Sequence, residues 1–239
     1  MYMFRMFLLG LLAFGCSGQP RGAFRIGIDP LWYPLDFGPQ TSYVNGYTEE
    51  LLLEMAGYGG MRFELVRANF DTLLEGMRGG QYDAVITTLP PYEYNLAKYD
   101  FSKNLLDLGS VLIVPKRAFK RDLSDLDGEM IGIITHDPAA LIVAKYPGLI
   151  LRTYSTIPDL LNGVVNGDIQ GALLNQVPAI NFVGDLYAKV LEIAGKPLSN
   201  EGIHLVGPKG GIQLFEKNLE TLRKKKRISA LQKKWNLSL

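Results

Sequence analysis

A pattern that occurs twice constrains this chain more than any other feature. From residue 70 the sequence reads FDTLLEGMRGGQYDAVITTLPP, and from residue 157 it reads IPDLLNGVVNGDIQGALLNQVP. In the first copy Phe70, Leu73, Leu74 and Met77 fall at i, i+3, i+4 and i+7, one apolar stripe of a helix. Gly79-Gly80 stops that helix, and Asp83-Ala84-Val85-Ile86 reads as a short buried strand. The strand runs into Thr87-Thr88-Leu89-Pro90-Pro91, where prolines, which have no N–H to donate, end regular structure. In the second copy Ile157, Leu160, Leu161, Val164 and Val165 make the stripe and Asn166-Gly167 the stop. Gly171-Ala172-Leu173-Leu174 is the strand, and Asn175-Gln176-Val177-Pro178 its polar end. Helix followed by strand recurs in any α/β protein. Two such units about 90 residues apart, each with a polar strand end, also fit two similar lobes that share one cleft. Ligands of α/β sheets sit at the carboxyl ends of strands, so Thr87, Thr88, Leu89, Asn175 and Gln176 are candidate site residues.

Other segments extend the pattern. Arg25-Ile26-Gly27-Ile28 reads as a strand that leaves through Asp29-Pro30-Leu31-Trp32-Tyr33-Pro34, which turns Asp29 towards the cleft. Residues 47–57 read as a helix and residues 62–66 as a strand. Residues 109–115 (GSVLIVP) read as an extended crossing into the second lobe, followed by a charged connection over 116–127. Met130 to Ile134 is a strand, and Asp137-Pro138 then reads as helix N-cap and first helical residue. Free N–H groups at such a start attract a carboxylate. A return crossing is expected over 202–207, with the first lobe rejoined from Pro208. This divides the chain into lobe 1 (23–112 and 206–239) and lobe 2 (113–205), with hinges near 110–115 and 203–208.

Asp83-Ala84, the threonine loop and Asp100-Phe101-Ser102, in this order and spacing, resemble the polar amino-acid-binding proteins of bacterial ABC importers (solute-binding protein family 3, type 2 periplasmic binding fold). Residues 24–37 (FRIGIDPLWYPLDF), 45–51 (NGYTEEL) and 228–237 (ISALQKKWNL) are similar to the family's first strand and loop, its G-F-D-x-D-L segment and its last helix. The resemblance implies an α/β fold of two similar lobes, each a central mixed sheet flanked by helices, joined by two hinge crossings. It implies an extracytoplasmic receptor that closes on a small solute, an amino acid or related amine, and delivers it to an ABC permease and its ATPase. It implies that Asp29 binds the ligand's ammonium group and that Trp32 stacks over the ligand; a core aromatic is the other reading of Trp32. Glu50 stands where the family has aspartate, on a solvated face or reaching the hinge. The family's carboxylate-binding arginine falls on Asn95, a loop threonine on Pro90, and the second lobe's aspartate on Gln176. The family's Ser/Gly/Thr carboxylate loop falls on Thr135, His136 and Asp137, where Asp137 would itself occupy the anion site. These substitutions imply an amine-bearing solute whose carboxylate, if any, is held by neutral donors.

The chain begins with a single positive charge, Arg5, and an apolar run from Met6 to Phe14, too short to span a bilayer and fitting a signal peptide over 1–15. Cys16, the only cysteine, ends that run; it reads as a lipidated residue followed by a linker over 16–22, with a buried free thiol as the other reading. A lipid-anchored monomer in the periplasm, or on the outer face of a bacterial membrane, is the expectation. A net charge of +1 gives no nucleic-acid signature, and the basic residues from Lys217 to Lys234 are a solvated face or a contact for anionic lipid or an acidic permease patch. No His, Cys and carboxylate cluster has metal spacing, and no cofactor is expected. Two further classes stay open: a degenerate or sensory binding module, and an enzyme resembling cyclohexadienyl dehydratase. The enzyme would need a tuned acid–base pair, for which Asp137 with His136 is the one visible set.

Overall fold

The amphipathic stripes form the expected helices, and the strands between them assemble into two sheets. The computed structural model describes residues 22–238 apart from 34, 36 and 120; the expected leader and Cys16 lie outside the described residues. The first lobe begins β1 (Phe24–Ile28), α1 (Thr41–Gly59), β2 (Phe63–Arg67), α2 (Phe70–Arg78) and β3 (Ala84–Thr87). It continues through α3 (Glu93–Leu96), β4 (Tyr99–Phe101) and β5 (Leu106–Asp107). The second lobe holds β6 (Ser110–Pro115), β7 (Met130–Ile134), α4 (Ala140–Val143), β8 (Ile150–Tyr154), α5 (Ile157–Asn166), β9 (Gly171–Asn175), α6 (Gln176–Gly184) and β10 (Leu191–Ala194). The chain then returns to the first sheet through β11 (Gly202–Pro208) and ends in α7 (Gln213–Lys224) and α8 (Arg227–Lys234).

The first sheet has the order β2-β1-β3-β11-β4, with β5 also paired to β11, and the second has the order β10-β6-β9-β7-β8. β1, β2 and β3 are parallel and β11 is antiparallel to β3; β7, β8 and β9 are parallel and β6 is antiparallel to β9. Each sheet is therefore mixed and carries helices, as expected. Apolar residues fill both faces. On the α2 face of the first sheet, Leu73 and Met77 pack with Val85 and Val206. On the other, Tyr47, Leu51 and Met55 of α1 meet Phe215 and Leu219 of α7. In the second sheet, Leu160, Leu161 and Val164 of α5 cover one face, and Ala139, Ile142 and Val143 cover the other. Each such Leu, Ile, Val, Met or Phe side chain contributes about 1.5–3 kcal/mol by leaving water.

Several local expectations are corrected. Residues 110–115 and 202–208 are strands inside sheets, so the chain crosses between sheets slightly earlier, at 108–109 and 195–201. The helix expected from residue 47 starts at Thr41. Pro178 does not end regular structure: it lies in the first turn of α6, where its missing N–H costs nothing, and the Asn175 side chain caps the helix by accepting from Val177 N–H at 3.2 Å. Glu50 does not reach the hinge. It accepts from Lys234 Nζ and Trp235 Nε1 at 2.7 and 2.8 Å, and with the Arg227–Glu54 ion pair it fastens α8 to α1.

Candidate functional site: strand ends beside paired crossings

The topology sets the carboxyl ends of both sheets at the crossings. β11 starts at the crossing and runs against β3, so Thr87 lies at that end; Ser110, first residue of β6, is registered with Asn175, last residue of β9. The two crossings are tied to each other. Leu108 N–H donates to Glu201 O at 2.8 Å, Leu198 N–H to Ser110 O at 2.8 Å, and Ser110 N–H to Ser199 Oγ at 3.1 Å. Asn175 Nδ2 donates to Leu108 O at 2.7 Å, so the end of β9 is held to the first crossing.

On the first lobe, Ile28, Ile86 and Leu205 form one row across β1, β3 and β11, and the next residues towards the crossings are Asp29, Thr87 and His204. Side chains alternate along strands. Ile26, Ile28, Ile86 and Leu205 face α1, and Val85 and Val206 face α2. Asp29, Thr87 and His204 therefore share the α2 face at the mouth of the sheet, and all three are buried. Asp29 Oδ1 accepts from Leu31 N–H at 2.9 Å and Oδ2 from Phe70 N–H at 3.2 Å, so the carboxylate ties the β1 turn to the start of α2. Thr87 Oγ1 accepts from Leu89 N–H at 3.2 Å; Thr88 and Leu89 are half-buried behind it.

His204 falls in the stretch that the sequence reads as the return crossing, 202–207. It stands instead in the row with Asp29 and Thr87, 4% exposed, its ring edge-on to Phe101. Nδ1 lies 3.0 Å from the Ser102 carbonyl, which can only accept, so Nδ1 carries the proton and Nε2 keeps a lone pair. That Nε2 is buried without a partner. Burial pushes the imidazole below its ordinary value, against the Ser102 bond and the Asp107 carboxylate.

Of the two readings of Trp32, the structure supports the core one. Trp32 is 2% exposed, packs with Phe37, and its Nε1 donates to Asn45 Oδ1 at 2.7 Å. Sequence reasoning missed its neighbour: Tyr33 is 59% exposed and meets the Phe70 ring at 5.4 Å, beside the Asp29 carboxylate. No sequence signal marked it: Asp29 accepts from Phe70 N–H at the start of α2, 41 residues away, while Asn69 caps that helix. Asn95 is buried, and its Nδ2 donates to Pro90 O at 2.9 Å, closing its own loop.

On the second lobe, Thr135 is exposed, and both its N–H and its hydroxyl donate to Tyr154 O, at 2.9 and 3.1 Å. His136 is exposed in the left-handed region at φ 64°. Asp137 is not the N-cap expected: α4 starts at Ala140 with Ala139 as N-cap and no side-chain cap, and Asp137 Oδ1 accepts from Ala139 N–H at 2.8 Å in the turn before it. Its carboxyl is raised above the ordinary range, chiefly by burial and also by the Glu201 carboxylate, against the Ala139 bond. Asp137 faces the Ala139 backbone amide, and no hydrogen bond joins it to His136. Gln176 opens α6 with Oε1 buried and unpartnered. Among the described residues no group of His, Cys, Asp and Glu could hold a metal ion, and no helix is long and apolar enough to cross a membrane.

Known proteins share this fold. A probable histidine-binding protein of Neisseria gonorrhoeae is 20% identical over 76% of this chain and 69% of its own length. The arginine-binding extracellular protein ArtP of Bacillus subtilis is 21% identical over 92% and 89%. Among solved structures, the L-cystine solute receptor of Neisseria gonorrhoeae superposes with a TM-score of 0.72 at 16% identity, over 91% of this chain and 94% of that one. Substrate-binding domain 2 of Lactococcus lactis GlnP gives 0.67 at 14%, over 90% and 96%. These structures share the fold of two lobes, the type 2 periplasmic binding fold. The family model for bacterial extracellular solute-binding proteins, family 3, matches residues 24–238, nearly all of the described structure, and the chain belongs to that family.

Proposed function

We propose that the chain is the extracytoplasmic receptor of an ABC importer, closing its two lobes around an amino acid or a related small amine and presenting it to a permease powered by its ATPase. The observation that carries this reading is the juxtaposition at the crossings. The buried row Asp29–Thr87–His204 on one sheet and the ends Thr135–Asp137 and Asn175–Gln176 on the other lie at opposite sides of two hydrogen-bonded connections. A ligand bound there touches both lobes, and only such a ligand favours the closed form. The exposed Tyr33–Phe70 pair supplies an apolar wall next to Asp29. The names of the histidine- and arginine-binding relatives support a nitrogen-rich solute. In this reading the lobes meet at 108–109 and 195–201, the protein is a monomer, and lipidated Cys16 holds it at the outer face of the membrane.

Thermal shift against amino acids, short peptides and amines tests the reading. A ligand at about 100 times its Kd adds roughly 2.7 kcal/mol, a rise of about 5–10 °C for a chain of this size. No rise from any member of the panel would remove the receptor role. In cells, Cys16→Ser should release the protein from membranes; unchanged partitioning would remove the anchor alone.

A further inference from the structure

We infer that this receptor recognises the cationic end of its ligand and has no anchor for an α-carboxylate, so that its preferred ligands are amines, amidines or guanidines lacking that group. The inference rests on the receptor reading and names the ligand class of the same cleft.

Several donors suited to a carboxylate are already committed at the strand ends. On the first lobe the Asn95 amide is buried and given to Pro90 O. Phe70 N–H, which opens α2, is given to Asp29, and Leu89 N–H to Thr87 Oγ1. On the second lobe Pro138 has no N–H, Ala139 N–H is taken by Asp137, and Val177 N–H at the start of α6 is taken by Asn175. Neither Arg67 nor Arg152 replaces them. Arg67, last residue of β2, follows the alternation of Leu65 and lines a hollow on the α1 face with Asn45 and Glu49. Arg152 is stacked over Tyr154 within the edge strand β8.

The groups left unsatisfied are of the opposite kind. His204 is 4% exposed with Nε2 a buried, unpartnered acceptor, in the same row and on the same face as Asp29 and Thr87. Gln176 Oε1 is also buried without a partner, on an amide that carries a donor beside it, at the facing strand end of the other lobe. A buried acceptor without a donor costs free energy until a donor arrives. Asp29 on one lobe and Asp137 on the other add carboxylates, with Glu201 on the crossing close enough to act on Asp137. The unfilled His204 acceptor and carboxylates on both sides call for a ligand that brings N–H groups and positive charge. An α-carboxylate carried into the same space would meet like charge, with the Asn95, Phe70, Leu89, Ala139 and Val177 donors already engaged.

Matched pairs that differ by the carboxylate test this: arginine with agmatine, lysine with cadaverine, histidine with histamine, each titrated calorimetrically into the purified protein. The expected result is that, in a pair that binds, the decarboxylated member binds at least tenfold tighter. An amino acid that binds tighter than its amine overturns the inference and leaves the receptor reading standing, as does tight binding of an ordinary neutral amino acid. Absence of binding by all of them, with no rise from any other solute of the panel, overturns both. Asp137→Asn keeps the oxygen that accepts from Ala139 N–H and removes only the charge. It should weaken the bound amine about tenfold without lowering the melting temperature of the unliganded protein, and unchanged affinity would overturn the inference for the second lobe.

Discussion

At the scale of single residues, Asp29 has two tasks. Its carboxylate oxygens each accept a backbone N–H, from Leu31 and from Phe70, so it fixes the β1 turn and the start of α2 even without a ligand. Asp29→Asn leaves one oxygen for two amides and sets an NH2 against a backbone N–H. The unliganded protein should therefore lose about 1–2 kcal/mol in urea unfolding, where a residue serving the ligand alone would lose nothing. An unchanged midpoint would show that the turn does not depend on the charge. His204 makes a pH prediction. Burial depresses its folded value below 6.5, so in the window from 6.5 down to that value the unfolded chain binds more protons than the folded one. Its contribution is fully present above 6.5 and is lost as pH falls through the window. Asp137 acts in the opposite sense: its raised carboxyl gives stability present below 3.8 and lost as pH rises through the folded value. His204→Phe should flatten the His204 window in stability-versus-pH curves; an unaltered slope would place that titration elsewhere.

At the scale of elements, the two lobes repeat a packing device as well as a pattern. In the first, Tyr82 fills the space above Gly27 of β1 and Gly76 of α2, where an added Cβ would stand 2.6 and 2.2 Å from its ring and hydroxyl. In the second, Tyr154 occupies the corresponding gap between Gly132 of β7 and Gly163 of α5, at 3.2 and 2.5 Å. The two hydroxyls differ. Tyr82 Oη donates to Leu73 O at 2.7 Å, whereas Tyr154 Oη is buried without a partner. Tyr82→Phe should cost about 1 kcal/mol, and Tyr154→Phe should be neutral or stabilise by up to about 1 kcal/mol, since only the second removes an unsatisfied group. Equal losses from both in denaturant titrations would refute the distinction. The stripes and strands of this repeat were legible in the sequence because periodicity reports burial directly: Leu73, Met77, Leu160 and Val164 are all in cores. The edge strand β8 was not, because it is largely exposed and carries no alternation to read. α6 was hidden by Pro178, whose position in a helix's first turn looks in sequence like an ending. Of the site, the strand-end positions could be read from sequence. Which of them are buried could not, because burial of Trp32, Asn95 and His204 is decided by residues distant in the chain.

At the scale of the whole molecule, closure depends on how the two connections share strain. They run side by side, joined by Leu108–Glu201, Leu198–Ser110 and Ser110–Ser199 hydrogen bonds, and bending one must carry the other. Gly109 sits where they approach most closely: a Cβ there would lie 2.2 Å from Ser199 O and 3.0 Å from Ser199 C. That neighbour is backbone, already held by the pairing, so it cannot swing aside as a side chain would. Gly109→Ala should therefore force the connections apart, at about 1–3 kcal/mol. The same displacement pulls on Leu108 O, which holds Asn175 at the end of β9, so ligand affinity should fall together with stability. Gly57→Ala is the matched control. It lies within α1 with nothing within 4 Å of its added Cβ, and there alanine should gain about 0.5–1 kcal/mol through helix propensity. Urea unfolding with and without ligand separates the effects. If Gly109→Ala lowers the unliganded stability while the ligand adds as much to it as to the parent, the crossings hold the fold but do not transmit closure. If both quantities fall, bending is confined to this pair of connections, and the strand ends on either side move as rigid parts of their sheets.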